Sequence, residues 1–228
     1  MTGSLVSPAT RQRVRDLATP IAMALGRIGL TPNALTLIGF IGTCVGAFAA
    51  ANQWWLAAGV LVFAFGIFDL FDGTLARATG RATKLGAFLD STFDRAGEGI
   101  VYIGIAAGAA AAGFSQGAIV AGAAMTSSFM VSYTRAKAES LGFSPGSGLM
   151  NVGLAPREVR LAFLAIGLLW VGLAPGPIDV VILNGVAERT MGGLRELVLS
   201  GTLGLITILA TVTTIQRILH VRAQAKEG

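Results

Sequence analysis

Charge is what this sequence is most short of. Only 13% of its 228 residues are Asp, Glu, Lys or Arg, about half of the ~25% usual in a soluble domain. Hydrophobic residues make up 54%, and the mean hydropathy is +0.71. That balance excludes intrinsic disorder and points to an integral membrane protein. Cysteine is nearly absent: Cys44 stands alone in an apolar run, which excludes a disulfide scaffold. Histidine is as rare, and His220, after the last apolar stretch, has no second imidazole with which to share a metal. A basic start running straight into an apolar core is missing too. Met1 to Thr10 is small and polar, and Arg11, Arg13 and Arg15 come after it, so no cleaved signal peptide is expected. The chain also lacks the internal repeat that marks many secondary transporters.

Apolar stretches are plentiful instead. At ~20 residues per span the chain has room for about six. They lie at Ala34–Ala51, at Trp54–Phe68 with a helix-compatible continuation to Arg77, and at Leu85–Ala112, Gln116–Glu139, Val159–Leu173 and Leu194–Leu219. Ahead of them, Pro8–Gly29 mixes Arg11, Arg13, Arg15, Asp16 and Arg27 with Val14, Leu17, Ile21, Met23, Leu25 and Ile28, the make-up of an amphipathic helix lying in the membrane interface. Thr31-Pro32-Asn33 ends it. The expected fold is an all-α integral membrane domain over residues 1–228. It has six transmembrane helices within 34–221, preceded by an N-terminal amphipathic juxtamembrane helix at 8–29. The 31 glycines suit close helix packing in lipid. Trp54 and Trp55 read as interfacial anchors, and the Pro175–Gly193 loop has room for at most a short re-entrant or interfacial piece.

The net charge of +5 and isoelectric point near 10.1 would suggest nucleic acid in a soluble protein. Here they read as topology, and no nucleic-acid partner is expected. Arg11, Arg13, Arg15, Arg27, Arg77, Arg81, Lys84, Arg135, Lys137, Arg157, Arg160, Arg217, Arg222 and Lys226 fall on one side of the six spans, against Arg189 and Arg195 on the other. Both termini are therefore expected in the cytoplasm. Arg217, Arg222 and Lys226 read as topology and headgroup residues.

Acidic residues concentrate where the second and third spans meet the cytoplasmic side. Asp69 and Asp72 are three apart, Asp90 and Asp94 four apart, so each pair shares a helix face. Neither pair contains a Lys or Arg. Carboxylates at membrane depth are costly unless something cationic balances them, and a hard divalent ion with oxygen ligands is the natural guest. Gly73 and Gly86 leave room for a bulky ligand or a close helix approach, and Arg77, one turn beyond Gly73, can reach a phosphate. The parts describe a pyrophosphate bound through metal ions.

The run Asp69-x2-Asp72-Gly73-x2-Ala76-Arg77-x8-Gly86-x3-Asp90-x3-Asp94 resembles the signature of the CDP-alcohol phosphotransferases. That resemblance implies a homodimer with a cytoplasmic site in which an alcohol displaces CMP from a CDP-diacylglycerol-type lipid, with two Mg²⁺ or Mn²⁺ ions per site. It implies Asp69, Asp72 and Asp90 as principal metal ligands, with Asp94 sharing the second ion and taking the proton from the attacking hydroxyl. Asp69, Asp72, Gly73, Ala76, Arg77 and Gly86 would form the CDP-lipid site. A further likeness lies in Thr19-Pro20-Ile21-Ala22, Gly29-Leu30-Thr31-Pro32-Asn33, the run Ser132–Glu139 and Arg157-x2-Arg160-Leu161. These look like the branch that makes phosphatidylinositol phosphate or its archaeal-lipid counterpart, where a basic pocket holds inositol phosphate. Ser132, Arg135, Arg157 and Arg160, with Lys137 adjacent, would then be the acceptor-phosphate residues. Glycerol phosphate or another alcohol as acceptor stays open, as does a divalent cation transporter using the Asp cluster as an ion path.

Overall fold

Turn-forming residues cut the apolar chain into helices. The computed structural model describes residues 8–143, 152–174, 180–183, 186–189 and 192–227; the polar start Met1–Ser7 lies outside them. The helices are α1 (Pro8–Arg27), α2 (Pro32–Ala51), α3 (Trp55–Ala78), α4 (Lys84–Ala111), α5 (Ser115–Ser140), α6 (Arg157–Leu173) and α7 (Leu194–Glu227). Thr31 starts α2, its Oγ1 accepting from Ala34 N at 3.2 Å with Pro32 in the first turn, an arrangement in which proline's missing N–H costs nothing. Thr83 starts α4 the same way, accepting from Gly86 N at 3.0 Å. Each expected apolar stretch is thus one helix, with α7 running on past the expected Leu219 to Glu227. Between α6 and α7 the short strands β1 (Val180–Leu183) and β2 (Val186–Arg189) pair antiparallel, Val180 opposite Arg189. Val180, Val181 and Ile182 are β-branched residues, which favour this extended form.

Packing closes the helices into a ring. α2 packs against α3 and α4, α4 against α5, α5 against α7, α7 against α6, and α6 back against α3, while α1 leans on α3. The tightest approaches are made where side chains are missing. A Cβ at Gly104 or Gly108 of α4 would strike the Ala47 or Ala50 carbonyl oxygen of α2, and one at Gly59 of α3 would sit 2.7 Å from Leu169 N of α6. Trp55, Tyr102, Ile105, Leu164, Leu168, Leu203 and Ile206 fill the middle. Trp55 is only 4% exposed and belongs to this core, whereas Trp54 is 54% exposed, so the pair does not act as a double interfacial anchor. Large apolar side chains also cover the outside, among them Ile41, Phe48, Phe63, Ile103, Ile119 and Ile208, as expected of a bundle bathed in lipid.

Helices α2, α3 and α7 are long and apolar enough to cross a membrane. α7, at 34 residues, is about 50 Å long against a hydrocarbon core of ~30 Å. Its C-terminal part continues beyond that thickness, and Val221 there packs on a small cluster with Ala138, Phe143 and Val152.

The α2–α4 contact generates a prediction. Gly104→Leu forces a branched side chain onto the Ala47 backbone, an overpacking that costs about 1–3 kcal/mol or more. The melting temperature of the detergent-solubilised protein should fall clearly, and an unchanged value would contradict the contact.

Candidate active site

The ends of α3 and the start of α4 bring the acidic residues together. One carboxylate oxygen from each of Asp69, Asp72 and Asp90 lies within 4.8 Å of the others. Asp72 is buried, and its two oxygens are held apart by different donors. Thr36 Oγ1 on α2 donates to Oδ2 at 2.6 Å, and the Gly73 N–H donates to Oδ1. Asp90 Oδ1 is buried with no hydrogen-bond partner among the described residues, a costly condition for an acceptor. Three converging carboxylates, one of them carrying an unpartnered oxygen, fit a hard divalent cation. Asp94 stands beside this group: its Oδ1 lies 2.9 Å from Arg157 Nη2 and its Oδ2 3.4 Å from Arg95 Nη2.

The positive charge missing from within each Asp pair comes from α6. Arg157, at the first position of that helix, donates through Nη1 to Asp69 and forms an ion pair through Nη2 with Asp94, so one guanidinium joins α3 to α4. The small residues of the motif have unlike surroundings. A Cβ at Gly73 would meet only the Arg77 guanidinium, at 3.3 Å, so helix packing does not demand a glycine there. A Cβ at Gly86 would press on Thr83 Oγ1 at 3.1 Å and Asn33 Oδ1 at 3.2 Å. Ala76 and Arg77 lie on the same last turns of α3, Arg77 exposed.

Next to the carboxylates opens a cavity of about 420 Å³, within the ~300–1,000 Å³ of small-molecule sites. Asp69, Asp90 and Asp94 line it on the carboxylate side; Ser132, Arg95, Arg135, Arg157, Arg160 and Arg217 line it elsewhere, together with Glu139 and Glu158. Ser132 Oγ accepts from Arg95 Nη1, and Arg135 Nε pairs with Glu139 at 2.8 Å.

Two expected acceptor residues are placed differently. Lys137 is exposed and does not line the cavity, because it is two residues from Arg135 and so points to another side of α5. Arg160, although it lines the cavity, is 1% exposed and has most of its donors committed: Nε and Nη2 bind Glu98 and Nη1 binds Ala155 O. Arg217 also departs from its topological reading. It is buried, donating through Nε to Val152 O at 3.2 Å and through Nη1 to Val131 O. Sequence reasoning also passed over Thr36, Arg95 and Glu98. Glu98 had a signal, since it continues the Asp90, Asp94 row at a spacing of four; Arg217 lay hidden among arginines of the positive cytoplasmic ends.

Comparison with known proteins identifies a family. The profile of a family described as CDP-alcohol phosphatidyltransferase matches residues 29–216. The chain is 35% identical over 176 residues to an archaetidylinositol phosphate synthase of Pyrococcus horikoshii, covering 77% of this chain and 89% of that protein. It is 33% identical over 214 residues to a phosphatidylinositol phosphate synthase of Streptomyces avermitilis, covering 92% and 80%. Among solved structures it resembles the Mycobacterium tuberculosis phosphatidylinositol phosphate synthase with CDP-DAG bound, at TM-score 0.71, 28% identity and coverage of 90% and 94%. The same enzyme in complex with manganese and citrate matches at TM-score 0.69 and 28% identity, covering 90% and 88%.

The carboxylate group predicts stabilisation by divalent ions. Mg²⁺ or Mn²⁺ at a hundred times its dissociation constant should add about 2.7 kcal/mol of stability, read as a raised melting temperature. Asp90→Asn should lose most of that increment. A wild-type protein indifferent to both ions would contradict the cation reading.

Proposed function

The chain belongs to the CDP-alcohol phosphatidyltransferase family, and from that premise we propose that it transfers the diradylglycerol phosphate group of a CDP-linked lipid to a hydroxyl of inositol phosphate, releasing CMP. Membership makes it a transferase of phospholipid biosynthesis and removes the cation-transporter alternative. The observation that carries the acceptor assignment is the arginine-lined cavity sharing a wall with the carboxylate group. The names of the similar inositol phosphate lipid synthases support the same reading. We further propose a homodimer of six-span subunits, α2 to α7, with α1 lying in the interface and the site and both termini facing the cytoplasm. Support for this orientation comes from the positive-inside distribution of Lys and Arg.

Asp69, Asp72 and Asp90, with Asp94 at a second ion, would hold Mg²⁺ or Mn²⁺, whose chemistry is to draw charge from a pyrophosphate. Gly73, Ala76, Arg77 and Gly86 make the CDP side: small residues let the nucleotide approach the helices, and Arg77 offers its guanidinium to phosphate oxygens. Arg135 and Arg157 face the acceptor phosphate, where charge-assisted contacts suit a dianion. Asp94 lies between the two halves. The acceptor hydroxyl oxygen bonds to the lipid-side phosphorus, the bond from that phosphorus to the bridging oxygen breaks, and CMP leaves with the oxygen. Asp94 accepts the hydroxyl proton. A cavity built for a phosphorylated alcohol also suits glycerol phosphate, so that acceptor is the second reading.

The test is an acceptor screen with reconstituted protein, CDP-diacylglycerol and Mg²⁺, weighing the lipid product by mass spectrometry. Inositol phosphate should give the product. A glycerol phosphate adduct in its place overturns the acceptor, and no CMP release with any alcohol overturns the reaction. Arg135→Gln should lose about 1.5–3 kcal/mol of acceptor-side binding, roughly ten- to a hundredfold in acceptor efficiency, with CDP-lipid binding kept. Asp94→Asn should depress turnover more than CDP-lipid affinity. Gly73→Val should do the reverse, leaving the fold intact; an active Gly73→Val enzyme would contradict the pocket.

A further inference from the structure

At the wall of the cavity lies a buried charge pair to which the proposed reaction gives no role. Glu98 sits one turn beyond Asp94 on α4, fully buried. Both its oxygens accept from Arg160, Nε to Oε1 at 3.0 Å and Nη2 to Oε2 at 3.0 Å, and Arg95 Nη1 lies 3.9 Å from Oε2. The remaining arm of Arg160, Nη1, donates to the Ala155 carbonyl at 3.0 Å. One guanidinium therefore ties α6 to α4 and also grips the chain two residues before Arg157, from a position three residues after it. From the opposite side α7 holds the same stretch: Ala155 N donates to Thr213 Oγ1 at 2.9 Å, and Arg217 Nε donates to Val152 O at 3.2 Å. Arg157 emerges from a backbone segment tethered on both flanks, and its guanidinium spans Asp69 and Asp94.

Such a pair is a poor way to stabilise a bundle. Taking two charges out of water is seldom repaid by their attraction, and apolar residues of similar volume usually do as well or better. Stability alone does not account for it, whereas the double grip on the flanks of Arg157 does. We infer that the Glu98–Arg160 pair is a positioning element that fixes the Arg157 guanidinium against Asp94 and thereby sets the affinity for the phosphorylated acceptor. The acceptor half of this inference rests on the reading under Proposed function. Arg160 acts here through Arg157 and not by touching the acceptor.

The decisive variant is Glu98→Leu combined with Arg160→Met, made in the full chain in lipid nanodiscs, because it removes both charges together and leaves neither stranded. The expected melting temperature is equal to or above wild type. Hydrogen exchange of the 152–157 backbone should rise at least tenfold, and the KM for inositol phosphate should rise tenfold or more. Both kcat and CDP-diacylglycerol affinity should stay within about threefold. Wild-type exchange and wild-type KM together make the pair filler and overturn the proposal. Faster exchange with an unchanged KM overturns its link to the acceptor, and a raised KM with unchanged exchange makes Arg160 a direct acceptor contact. Should the double variant fail to fold, Arg160→Lys serves, since lysine keeps the charge for Glu98 but cannot reach Ala155 with a second arm. The same rise in exchange and KM is expected, and wild-type values overturn the proposal. If the wild-type enzyme ignores inositol phosphate, the acceptor reading fails separately. KM is then measured with the alcohol it does use, while the exchange measurement judges the positioning role on its own.

Discussion

Acidic side chains inside a ring of apolar helices have to be neutralised where they stand, because water is too scarce there to do it. Asp69, Asp72, Asp90, Asp94 and Glu98 all face this requirement, and each solution recruits another element of the fold. Thr36 brings in α2 at Asp72. Arg157 and Arg160 bring in α6 at Asp69, Asp94 and Glu98. Arg95, lying near Asp94 and donating to Ser132, brings in α5. The charges thus reinforce the packed pairs α2–α3, α3–α6 and α4–α5 and also tie α6 to α4, which are not neighbours in the packed ring, and a site grows at the place where the compensation is incomplete. That place is the group of Asp69, Asp72 and Asp90, with its unpartnered oxygen.

From this seam the structure divides by chemistry. Toward α2 and the end of α3 lie the small residues and Arg77, the side proposed for the nucleotide. Toward α5, α6 and α7 it offers a cavity whose basic side chains suit a phosphorylated alcohol. Asp94 and Arg157 stand on the boundary. The arrangement requires backbones to pass closely at depth, which is why Gly104 and Gly108 on α4 meet bare carbonyls of α2. Rigid packing below the site holds the carboxylates in register above it.

Much of this was legible from sequence, for physical reasons. Apolar runs, Thr31-Pro32 and the glycines that follow helices mark helices α1 to α7 closely, since caps and composition are local signals. The Asp spacing was legible because helical periodicity alone puts each pair on one face. What sequence could not supply was pairing across helices. Arg217 looked like one more positive end residue until the fold buried it against Val131 and Val152. Arg160 looked like a phosphate ligand because Glu98 is 62 residues away in the chain. Trp55 looked like its exposed neighbour, though one position along a helix turns a side chain by about 100°.

The central claim is that the carboxylates of Asp69, Asp72 and Asp90 are gathered to hold a divalent cation. Its most direct test is anomalous X-ray scattering from crystals of this protein grown with Mn²⁺. The account predicts a manganese peak coordinated by oxygens of Asp69, Asp72 and Asp90. A saturated crystal with manganese bound elsewhere and none among these three residues would contradict it.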